Sequence, residues 1–303
     1  MQRRNFLRNT GLTMAGLAFL NTDTLASFLA DPAWKIRMLN ENTGVFTEKG
    51  GTILFQVSKE GAVFVDAQFP DTVPHLVEEL KTKYGKIGSG MLINTHHHAD
   101  HTAGNIAFKE VVPKLVAHAN SKINQENAAK ANKSEDKQWY PTETYTDTWS
   151  TQFGKEKIKL HYFGAGHTNG DSVVHFESSN IIHMGDLVFN RRHPFVDQKA
   201  GASIKSWISV LNKTLQTFNK DTQYVSGHAG AGYDILLKAD DLRAFATYLE
   251  NVLKFTAAQI EAGKTKEEVI KATEIPGSPE WKGDGIERPL SAAYAELTLN
   301  KGA

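Results

Sequence analysis

Short apolar runs separated by turn signals characterise the chain between residues 36 and 69. The runs at 53–57 and 62–67 are rich in β-branched residues, and a turn at Lys59-Glu60-Gly61 separates them. Gly50-Gly51 gives a further turn signal before the first of these runs. The pattern therefore predicts paired strands over this region.

Apolar residues recur at helical spacing after Asp71, which predicts a helix that runs to about Tyr84. Asp71 is the expected N-cap, because its carboxylate can accept a hydrogen bond from a free backbone N–H group. Gly85 is expected to end the helix, since glycine readily adopts the left-handed conformation found at helix ends. The residues expected to face the core are Val73, Leu76, Val77, Leu80 and Tyr84.

The rest of the chain alternates between strand-like runs and helical patterns. Strands are expected at 91–95, 115–118, 157–163, 172–177, 180–185 and 223–227. Helices are expected from Thr102, within 120–140, from Ser206 to Phe218, and from Lys238 to Ala262. Strands mixed with helices in two similar halves predict an α/β fold in which helices cover two packed sheets.

Composition narrows the possible partners and metal ligands. The chain has 303 residues, 40% of them hydrophobic, which suits one large domain or two small ones. Its formal net charge is zero and it has no basic block, so we expect a small-molecule substrate and no nucleic-acid partner. The absence of cysteine excludes disulfides and thiolate ligands, so any metal must bind imidazole and carboxylate groups. The sequence leaves the oligomeric state open.

Residues 1–30 have the features of an export signal. Arg3-Arg4 precedes a short apolar run over residues 11–20, an arrangement similar to a twin-arginine signal. The run is shorter than the roughly 20 apolar residues that a membrane span needs, although an uncleaved membrane anchor is the alternative. We expect cleavage near Ala26 or Ala30, no stable membrane anchor afterwards, and a periplasmic or otherwise exported protein.

The segment Thr95-His96-His97-His98-Ala99-Asp100-His101 is the most informative part of the sequence, and it directly follows an apolar strand. Side chains alternate in an extended segment, so His96 and His98 point the same way. Asp100 and His101 follow at a turn, where the chain can fold back. Imidazole and carboxylate groups so closely spaced can anchor metal ions, but further ligands must come from distant segments.

Three distant candidates each follow a glycine at the end of a predicted strand. They are His167 in Gly166-His167, Asp186 in Gly185-Asp186, and His228 in Gly227-His228. Glycine lets the backbone approach an ion without a side-chain clash, and strand ends are where a rigid scaffold presents ligands.

The order HxHxDH, GH, GD, GH resembles the metallo-β-lactamase superfamily over roughly residues 36–235. The resemblance implies a four-layer αβ/βα sandwich over residues 31–303, with metals at one edge between the sheets. It implies a first metal bound by His96, His98 and His167. It implies a second metal bound by Asp100, His101 and His228. Asp186 would bridge the two.

This resemblance also implies a hydrolase that holds two Zn²⁺ ions, with iron or manganese as alternatives. Two such ions can share a water, lower its pKa toward neutrality and generate a hydroxide that attacks an electrophilic centre. Asp100 would be catalytic, because it can move protons beside the second ion. The expected substrate contains an ester, lactone, thioester or amide-like bond.

Two positions bear on the substrate. Zinc β-lactamases of the family often carry cysteine where this chain has Asp186, whereas an aspartate is more similar to the lactonase and thioesterase branches. Many of those β-lactamases also place a lysine where this chain has Phe189. A zinc β-lactamase nevertheless remains the first alternative, because such enzymes act outside the cytoplasm.

Several other polar residues are candidates for supporting roles. Asp66 ends a buried strand and can orient a ligand histidine or cap a turn. Substrate contacts are expected from four residues that come after Phe189, although the loop charges among them can equally be solvated: Arg191, Arg192, His193 and Tyr233. His97 should point away from the metals, and a structural role is expected for His75, His118, His161, His175 and His183.

Two alternatives come from other functional classes. The first is an iron-dependent oxidoreductase on the same fold, as in dioxygenase or diiron relatives. A mononuclear iron oxygenase would not need the second ligand set, and metal analysis with an absorption spectrum separates these cases from a hydrolase. A non-catalytic zinc-binding protein usually has a low-complexity histidine-rich tract, whereas the candidate ligands here are dispersed at strand ends.

Overall fold

Two β-sheets carry most of the strands in the computed structural model, which describes residues 33–299. The candidate export signal at 1–30 and its expected cleavage positions lie outside the described residues. Among the residues described, no helix is both long enough and apolar enough to cross a membrane.

The first sheet has seven strands in sequence order. They are β1 Lys35–Met38, β2 Thr43–Thr47, β3 Ile53–Ser58, β4 Gly61–Val65, β5 Gly90–Ile93, β6 Leu115–His118 and β7 Glu143–Tyr145. Strands β2, β3 and β4 pair antiparallel, as the predicted turns require, and β4, β5, β6 and β7 pair in parallel.

The second sheet has six strands in the order β15-β13-β11-β10-β9-β8. They are β8 Thr148–Phe153, β9 Glu156–His161, β10 Val173–Phe176, β11 Ile181–His183, β13 Gln223–Val225 and β15 Leu236–Leu237. Only β11 and β13 pair in parallel within this described sheet. A separate parallel pair consists of β12 Phe189–Asn190 and β14 His228–Ala229.

Eight α-helices are described between and after these strands. They are α1 Val73–Tyr84, α2 Ala99–Thr102, α3 Asn105–Phe108, α4 Ala119–Asn132, α5 Ile204–Thr217, α6 Ala239–Glu261, α7 Lys266–Val269 and α8 Glu287–Leu299. Short 3₁₀ turns occur at Glu135–Lys137, Gly185–Leu187 and Gln198–Ala200.

The core explains the layered arrangement. One buried apolar cluster combines residues of both sheets, such as Leu54 and Val63 with Leu160 and Val174, so the sheets pack face to face. A second cluster joins the outer face of the second sheet to α5, α6 and α8. Helix α1 and the α2–α3 segment lie beside the first sheet, where the rings of Phe64 and Phe108 are 4.7 Å apart. The predicted αβ/βα sandwich is thus confirmed.

Two local predictions at helix starts were wrong. Asp71 does not cap α1: Thr72 occupies the N-cap without a side-chain hydrogen bond, and Asp71 forms an exposed ion pair with Lys49. The helix expected from Thr102 begins a turn earlier, because the His98 carbonyl already accepts hydrogen bonds from the N–H groups of His101 and Thr102. Strands β7 and β8 and helix α8 were missed.

Candidate metal centre

The first sheet supplies four of the candidate ligands through the segment that leaves β5. Its residues stay buried through His97, the chain bends at Thr95 and His96, and His98 occupies the N-cap of α2 with an extended conformation. The single turn of α2 then reverses the chain, which brings Asp100 and His101 back toward the strand end. A bend after the strand, followed by one tight turn, therefore gathers four side chains from six residues.

The second half of the chain supplies the other three. His167 lies in the loop after β9, Asp186 in the 3₁₀ turn after β11, and His228 at the start of β14. All seven residues come together as two groups, in each of which the candidate ligand atoms lie within 4.8 Å of one another. The first group is His96, His98, His167 and Asp186, and the second is Asp100, His101 and His228.

Asp186 lies between the two groups and faces both. Its Oδ2 is 3.5 Å from His167 Nε2 and 3.9 Å from His96 Nε2, whereas its Oδ1 is 3.1 Å from His101 Nε2 and 3.5 Å from His228 Nε2. One carboxylate oxygen therefore points toward each group.

Hydrogen bonding fixes which nitrogen of His96 carries the proton. Thr95 Oγ1 lies 2.8 Å from Asp66 Oδ2 and must donate its hydrogen to that carboxylate. The same oxygen lies 3.0 Å from His96 Nδ1, so it accepts a hydrogen bond from this nitrogen. The neutral ring of His96 therefore presents a lone pair at Nε2, on the side of Asp186.

The other two imidazoles of the first group are oriented in the same way. His167 Nδ1 donates to the Phe195 carbonyl at 2.8 Å, and His98 Nε2 donates to Asp197 Oδ2 at 3.0 Å. Their remaining nitrogens face inward: His98 Nδ1 is 2.8 Å from His167 Nε2 and 3.1 Å from His96 Nε2. Three lone pairs at such separations repel one another unless a cation lies among them.

In the second group, too, one ring nitrogen of a histidine donates outward and the other faces the cluster. His101 Nδ1 donates to the buried Asp66 Oδ2 at 2.7 Å, which leaves Nε2 directed at the cluster. Both His101 Nε2 and Asp186 Oδ1 are buried and lie 3.1 Å apart, but neither forms a hydrogen bond of acceptable geometry among the described residues. Asp100 Oδ2 lies 3.0 Å from His228 Nε2. Buried polar atoms normally have partners, so these unpartnered atoms fit a site built for cations.

The pKa shifts agree with this description. Burial, followed by neighbouring histidines, lowers the pKa of His96 well below its usual value and that of His167 to about 3, so both rings are neutral. Burial would also lower the pKa of His101, but Asp186 and Asp66 reverse the effect and raise it well above the usual value. Burial would raise the pKa of Asp186, but His228 and His101 lower it well below the ordinary range.

Two glycines make room for the ligand side chains. A Cβ atom at Gly227 would lie 2.1 Å from Asp186 Oδ1, and one at Gly51 would lie 2.2 Å from His101 Cε1. Both distances are far shorter than a van der Waals contact. The glycine before His228 is therefore required by the packing of the Asp186 carboxylate.

The donor set fits divalent ions such as Zn²⁺, which accept imidazole nitrogen and carboxylate oxygen. His96, His98, His167 and one oxygen of Asp186 would hold one ion. The second oxygen of Asp186 lies beside Asp100, His101 and His228, which would hold another.

Two carboxylates outside the ligand set orient the histidines. Asp66, predicted as such a partner, accepts hydrogen bonds from His101 and from the backbone and hydroxyl of Thr95. Asp197, which orients His98, was missed. It lies 99 residues further along the chain and follows no recognisable motif, so the sequence offers no signal for this contact.

A further carboxylate, which is buried, was also missed as a functional residue. Asp171 accepts hydrogen bonds from the N–H group and hydroxyl of Thr168 at 2.8 and 2.6 Å, which fixes the loop that carries His167. Burial raises the pKa of Asp171 to about 7.

Two of the four predicted substrate contacts are engaged elsewhere. Arg191 Nη1 lies 2.9 Å from Asp241 Oδ1, and its Nε lies 3.4 Å from Glu280 Oε2. His193 is buried, and its Nδ1 lies 2.8 Å from the hydroxyl of Tyr248. These contacts tie both residues to α6, and their role in substrate binding stays a prediction.

The other two predicted contacts are exposed. Arg192 lies on the surface, and Tyr233 is 44% exposed with Arg191 5.8 Å from its ring centre. Their role in substrate binding stays a prediction.

The histidines expected to be structural lie outside the two ligand groups. His118 Nε2 donates to the Thr146 carbonyl, and His183 Nε2 to the Thr52 carbonyl. His97, which follows His96, lies instead beside Asp197, with its Nε2 3.5 Å from Oδ2.

The chain is similar to several known proteins. The family model described as "Metallo-beta-lactamase superfamily" matches residues 61–242, more than half of the chain. A "Metallo-beta-lactamase type 2" from Bacillus sp. (strain 170) is 28% identical over 207 residues, which cover 65% of this chain and 77% of the relative. A "Probable hydroxyacylglutathione hydrolase" from Schizosaccharomyces pombe is 23% identical over 221 residues, 71% of this chain and 78% of the relative.

Among solved structures, the metallo-beta-lactamase from Pontibacter korlensis superposes with a TM-score of 0.61 at 21% identity. The superposition covers 72% of this chain and 99% of that structure. At this identity the similarity concerns the fold.

Proposed function

The chain belongs to the metallo-beta-lactamase superfamily, and from this premise we propose that it is a hydrolase that uses two divalent cations, Zn²⁺ by preference. Its proposed substrate contains an ester, lactone, thioester or amide-like bond. The single observation that carries the proposal is Asp186, with one carboxylate oxygen toward each of two ligand groups. A protein that bound a single ion would have no use for that second set of ligands.

Bound divalent ions would supply Lewis acidity and a water made acidic enough to attack at neutral pH. The residues of the chain hold and orient this machinery. Asp66 keeps His101 in the tautomer that presents Nε2, and Asp197 keeps His98 in the one that presents Nδ1. Asp186 is the residue that both ligand groups share, with Oδ2 toward the first group and Oδ1 toward the second.

Asp100 is the proposed proton carrier. Its side chain is 33% exposed, so it borders both the second ligand group and solvent. Burial would raise the pKa of Asp100, but the hydrogen bond from His228 and the neighbouring His101 lower it overall. Asp100 is therefore ionised at neutral pH and can accept a proton at Oδ2.

Two residues favour esters, lactones or thioesters over β-lactams. Asp186 occupies the position at which the family's zinc β-lactamases often have cysteine. Phe189, where many of them have lysine, is buried and stacks on His228 with ring centres 5.6 Å apart. No cation at position 189 can therefore grip a substrate carboxylate. The name of the S. pombe relative likewise denotes hydrolysis of an acyl-glutathione.

β-Lactam hydrolysis is the second candidate. The Bacillus relative carries that activity in its name and is 28% identical to this chain over 207 residues. The absence of a cationic residue at position 189 predicts slow turnover of β-lactams compared with a preferred ester or thioester.

A hydrolysis screen of the purified, zinc-loaded full chain tests the proposal. The compounds are lactones, thioesters, simple esters and β-lactams, each assayed with and without a chelator. We expect chelator-sensitive turnover, and we expect Asp186→Ala to reduce it by more than the roughly 10–100-fold loss typical of outer partners of a metal site. The exposed Arg192→Ala serves as the surface control.

Chelator-insensitive turnover, or activity that survives Asp186→Ala, would contradict the proposal. Metal analysis with an absorption spectrum covers the alternative of iron-dependent redox chemistry. Iron as the dominant metal, together with oxygen consumption, would favour an oxidoreductase.

We also propose that residues 1–30 direct export by the twin-arginine route, on the basis of Arg3-Arg4 and the short apolar run that follows. Cell fractionation with Arg3→Lys and Arg4→Lys together should show retention in the cytoplasm. Unchanged export of this variant would disprove the assignment.

A further inference from the structure

A pocket of about 310 Å³ lies beside the first ligand group, between α2, α4 and the loop that carries Phe195 and Asp197. Small side chains form much of its wall and leave the room: Ala99 and Ala103 on one side, Ala128 and Ala129 on the other. Its volume is at the lower end of the range found for small-molecule sites.

The pocket adjoins the proposed reaction centre through His98. This ring lines the pocket, while its Nδ1 faces His96 and His167 in the first ligand group. Phe195 also lines the pocket; it is 46% exposed, and its ring centre is 5.5 Å from that of His98. A substrate whose reactive bond lay at the ligand groups could therefore extend one arm past Phe195 into the pocket.

His97 gives this pocket an unmet hydrogen-bonding group. The residue is only 8% exposed and lines the pocket. Among the described residues its Nδ1 has no hydrogen-bond partner, and its Nε2 lies 3.5 Å from Asp197 Oδ2, beyond a good hydrogen bond. Because Nδ1 is shielded from solvent, the ring atom that a ligand in the pocket can reach is Nε2, and the weak contact to Asp197 leaves it able to form a hydrogen bond.

The charge of the lining indicates what kind of group fits. Neither lysine nor arginine is among the described residues that form the pocket, and its acidic residue is Asp197. The other polar groups are neutral, such as the amides of Gln125 and Gln138, which hydrogen-bond to each other at 3.1 Å. A carboxylate here would meet the like charge of Asp197, and the lining supplies no lysine or arginine to pair with it, whereas an uncharged group would meet no such repulsion.

We propose that this pocket receives one arm of the substrate, and that the arm is small, uncharged and carries an amide or hydroxyl group that hydrogen-bonds to His97. The inference rests on the proposed hydrolase activity and names the class of substrate for that site. His97 then determines specificity, whereas its two sequence neighbours, His96 and His98, are candidate metal ligands.

Two matched series of activated thioesters test the inference with the zinc-loaded full chain. In one series the acyl arm varies and in the other the leaving-group arm varies. Each arm is unsubstituted, carries an uncharged amide, or carries a carboxylate at the same position. The readout is the ratio of kcat/KM for the amide-bearing compound to that for the unsubstituted one. In one of the two series we expect the amide to be preferred and the carboxylate to be the poorest substrate.

One kind of variant removes the hydrogen bond from His97 to the substrate arm, and the other fills the pocket. His97→Phe should lower the ratio about tenfold, the order expected for one lost hydrogen bond, and His97→Gln should retain much of it. Ala128→Phe should lower the ratio by filling the pocket. The controls are His175→Phe, in the second sheet, and Asn127→Phe, on the exposed face of α4. Zinc content is measured in every variant to show that both ligand groups are intact.

The outcomes separate the two claims. Metal-dependent turnover with a ratio that neither His97→Phe nor Ala128→Phe changes, or with carboxylates preferred, would overturn the pocket assignment and leave the hydrolase standing. If none of the thioesters is cleaved, calorimetry with the uncleavable thioether analogues of the amide compounds decides. Binding that Ala128→Phe abolishes would support the pocket, and the absence of binding would overturn it.

Discussion

Asp66 organises more of the site than any other residue outside the ligand set. It is fully buried, and it accepts hydrogen bonds from the Thr95 N–H group, the Thr95 hydroxyl and His101 Nδ1 at 2.7–2.8 Å. Through Thr95 it also determines the tautomer of His96. One carboxylate thus orients a histidine in each of the two ligand groups.

Asp66→Asn should weaken the binding of zinc at the second group. An amide presents an NH₂ group where a carboxylate oxygen accepts from His101, so the ring would turn or adopt the wrong tautomer. We expect a 10–100-fold loss of affinity, the usual cost of losing such a partner. Competition with a chromophoric chelator measures the loss, and the exposed Asp136→Asn is the matched control. Unchanged affinity for both ions would contradict the role given to Asp66.

The two ligand groups should differ in how their affinity depends on pH. The pKa of His101 is raised, so at neutral pH a proton occupies the position that a cation would take. Binding at the second group must release this proton, and the affinity should therefore rise with pH, by up to about tenfold per unit while the ring remains protonated. His96 and His167 have lowered pKa values and release no proton at neutral pH.

Calorimetric zinc titrations in two buffers of different ionisation enthalpy count the protons released. We expect the weaker-binding step to release more protons than the tighter one at about pH 7. Equal proton release in both steps would show that the two groups do not differ in this way.

At the level of elements, local patterns predicted the strands and helices whose periodicity is strong. Strand β6 occupies the predicted residues 115–118, and α6, expected from Lys238 to Ala262, spans Ala239–Glu261. Both bury a continuous apolar face. Strand β8 was missed because it lies at the edge of its sheet and its sequence, TWSTQF, is largely polar. The buried face of α8 relies on proline and alanine as well as Leu290, which gives a weak signal.

The site was predicted less completely than the fold. The seven candidate ligands were identified by the order of their motifs, and strand ends do bring them together. Asp197, the Phe195 carbonyl and the pocket beside His98 depend on contacts between segments far apart in the chain. Local patterns contain no information about such contacts. The short helix α2 was misplaced for a related reason, because its start is set by the turn that delivers Asp100 and His101.

Gly227→Ala tests whether the junction between β13 and β14 is shaped around Asp186. The added Cβ would lie 2.1 Å from Asp186 Oδ1 and 3.0 Å from His101 Cε1, so the bridging carboxylate must move. A displacement of about 1 Å at a catalytic group can cost about 100-fold in rate, and we expect a loss of that order together with reduced zinc content. The control is Gly88→Ala, whose Cβ would meet its nearest atom at 3.6 Å. Full activity and two ions per chain in Gly227→Ala would contradict the geometry.

For the molecule as a whole, the site exists only when the two sheets are packed together. Residues after β5 of the first sheet meet residues from the loops of the second, and neither set alone completes a ligand group around Asp186. Zinc should therefore bind the folded chain far more tightly than the unfolded one, and thereby stabilise it.

Thermal unfolding with and without zinc measures this stabilisation. A ligand at about 100 times its dissociation constant contributes about 2.7 kcal/mol per site, and each kcal/mol raises Tm by about 2–4 °C in a domain of roughly this size. We expect an increase of several degrees in the wild type and a smaller one in Asp186→Ala. An equal increase in both would show that zinc acts elsewhere on the protein.

Anomalous X-ray diffraction from crystals grown with zinc tests the central claim most directly. The account predicts two strong peaks in each chain, one among His96, His98 and His167 and the other among Asp100, His101 and His228, with Asp186 in contact with both. A single peak, or two that Asp186 does not join, would contradict it.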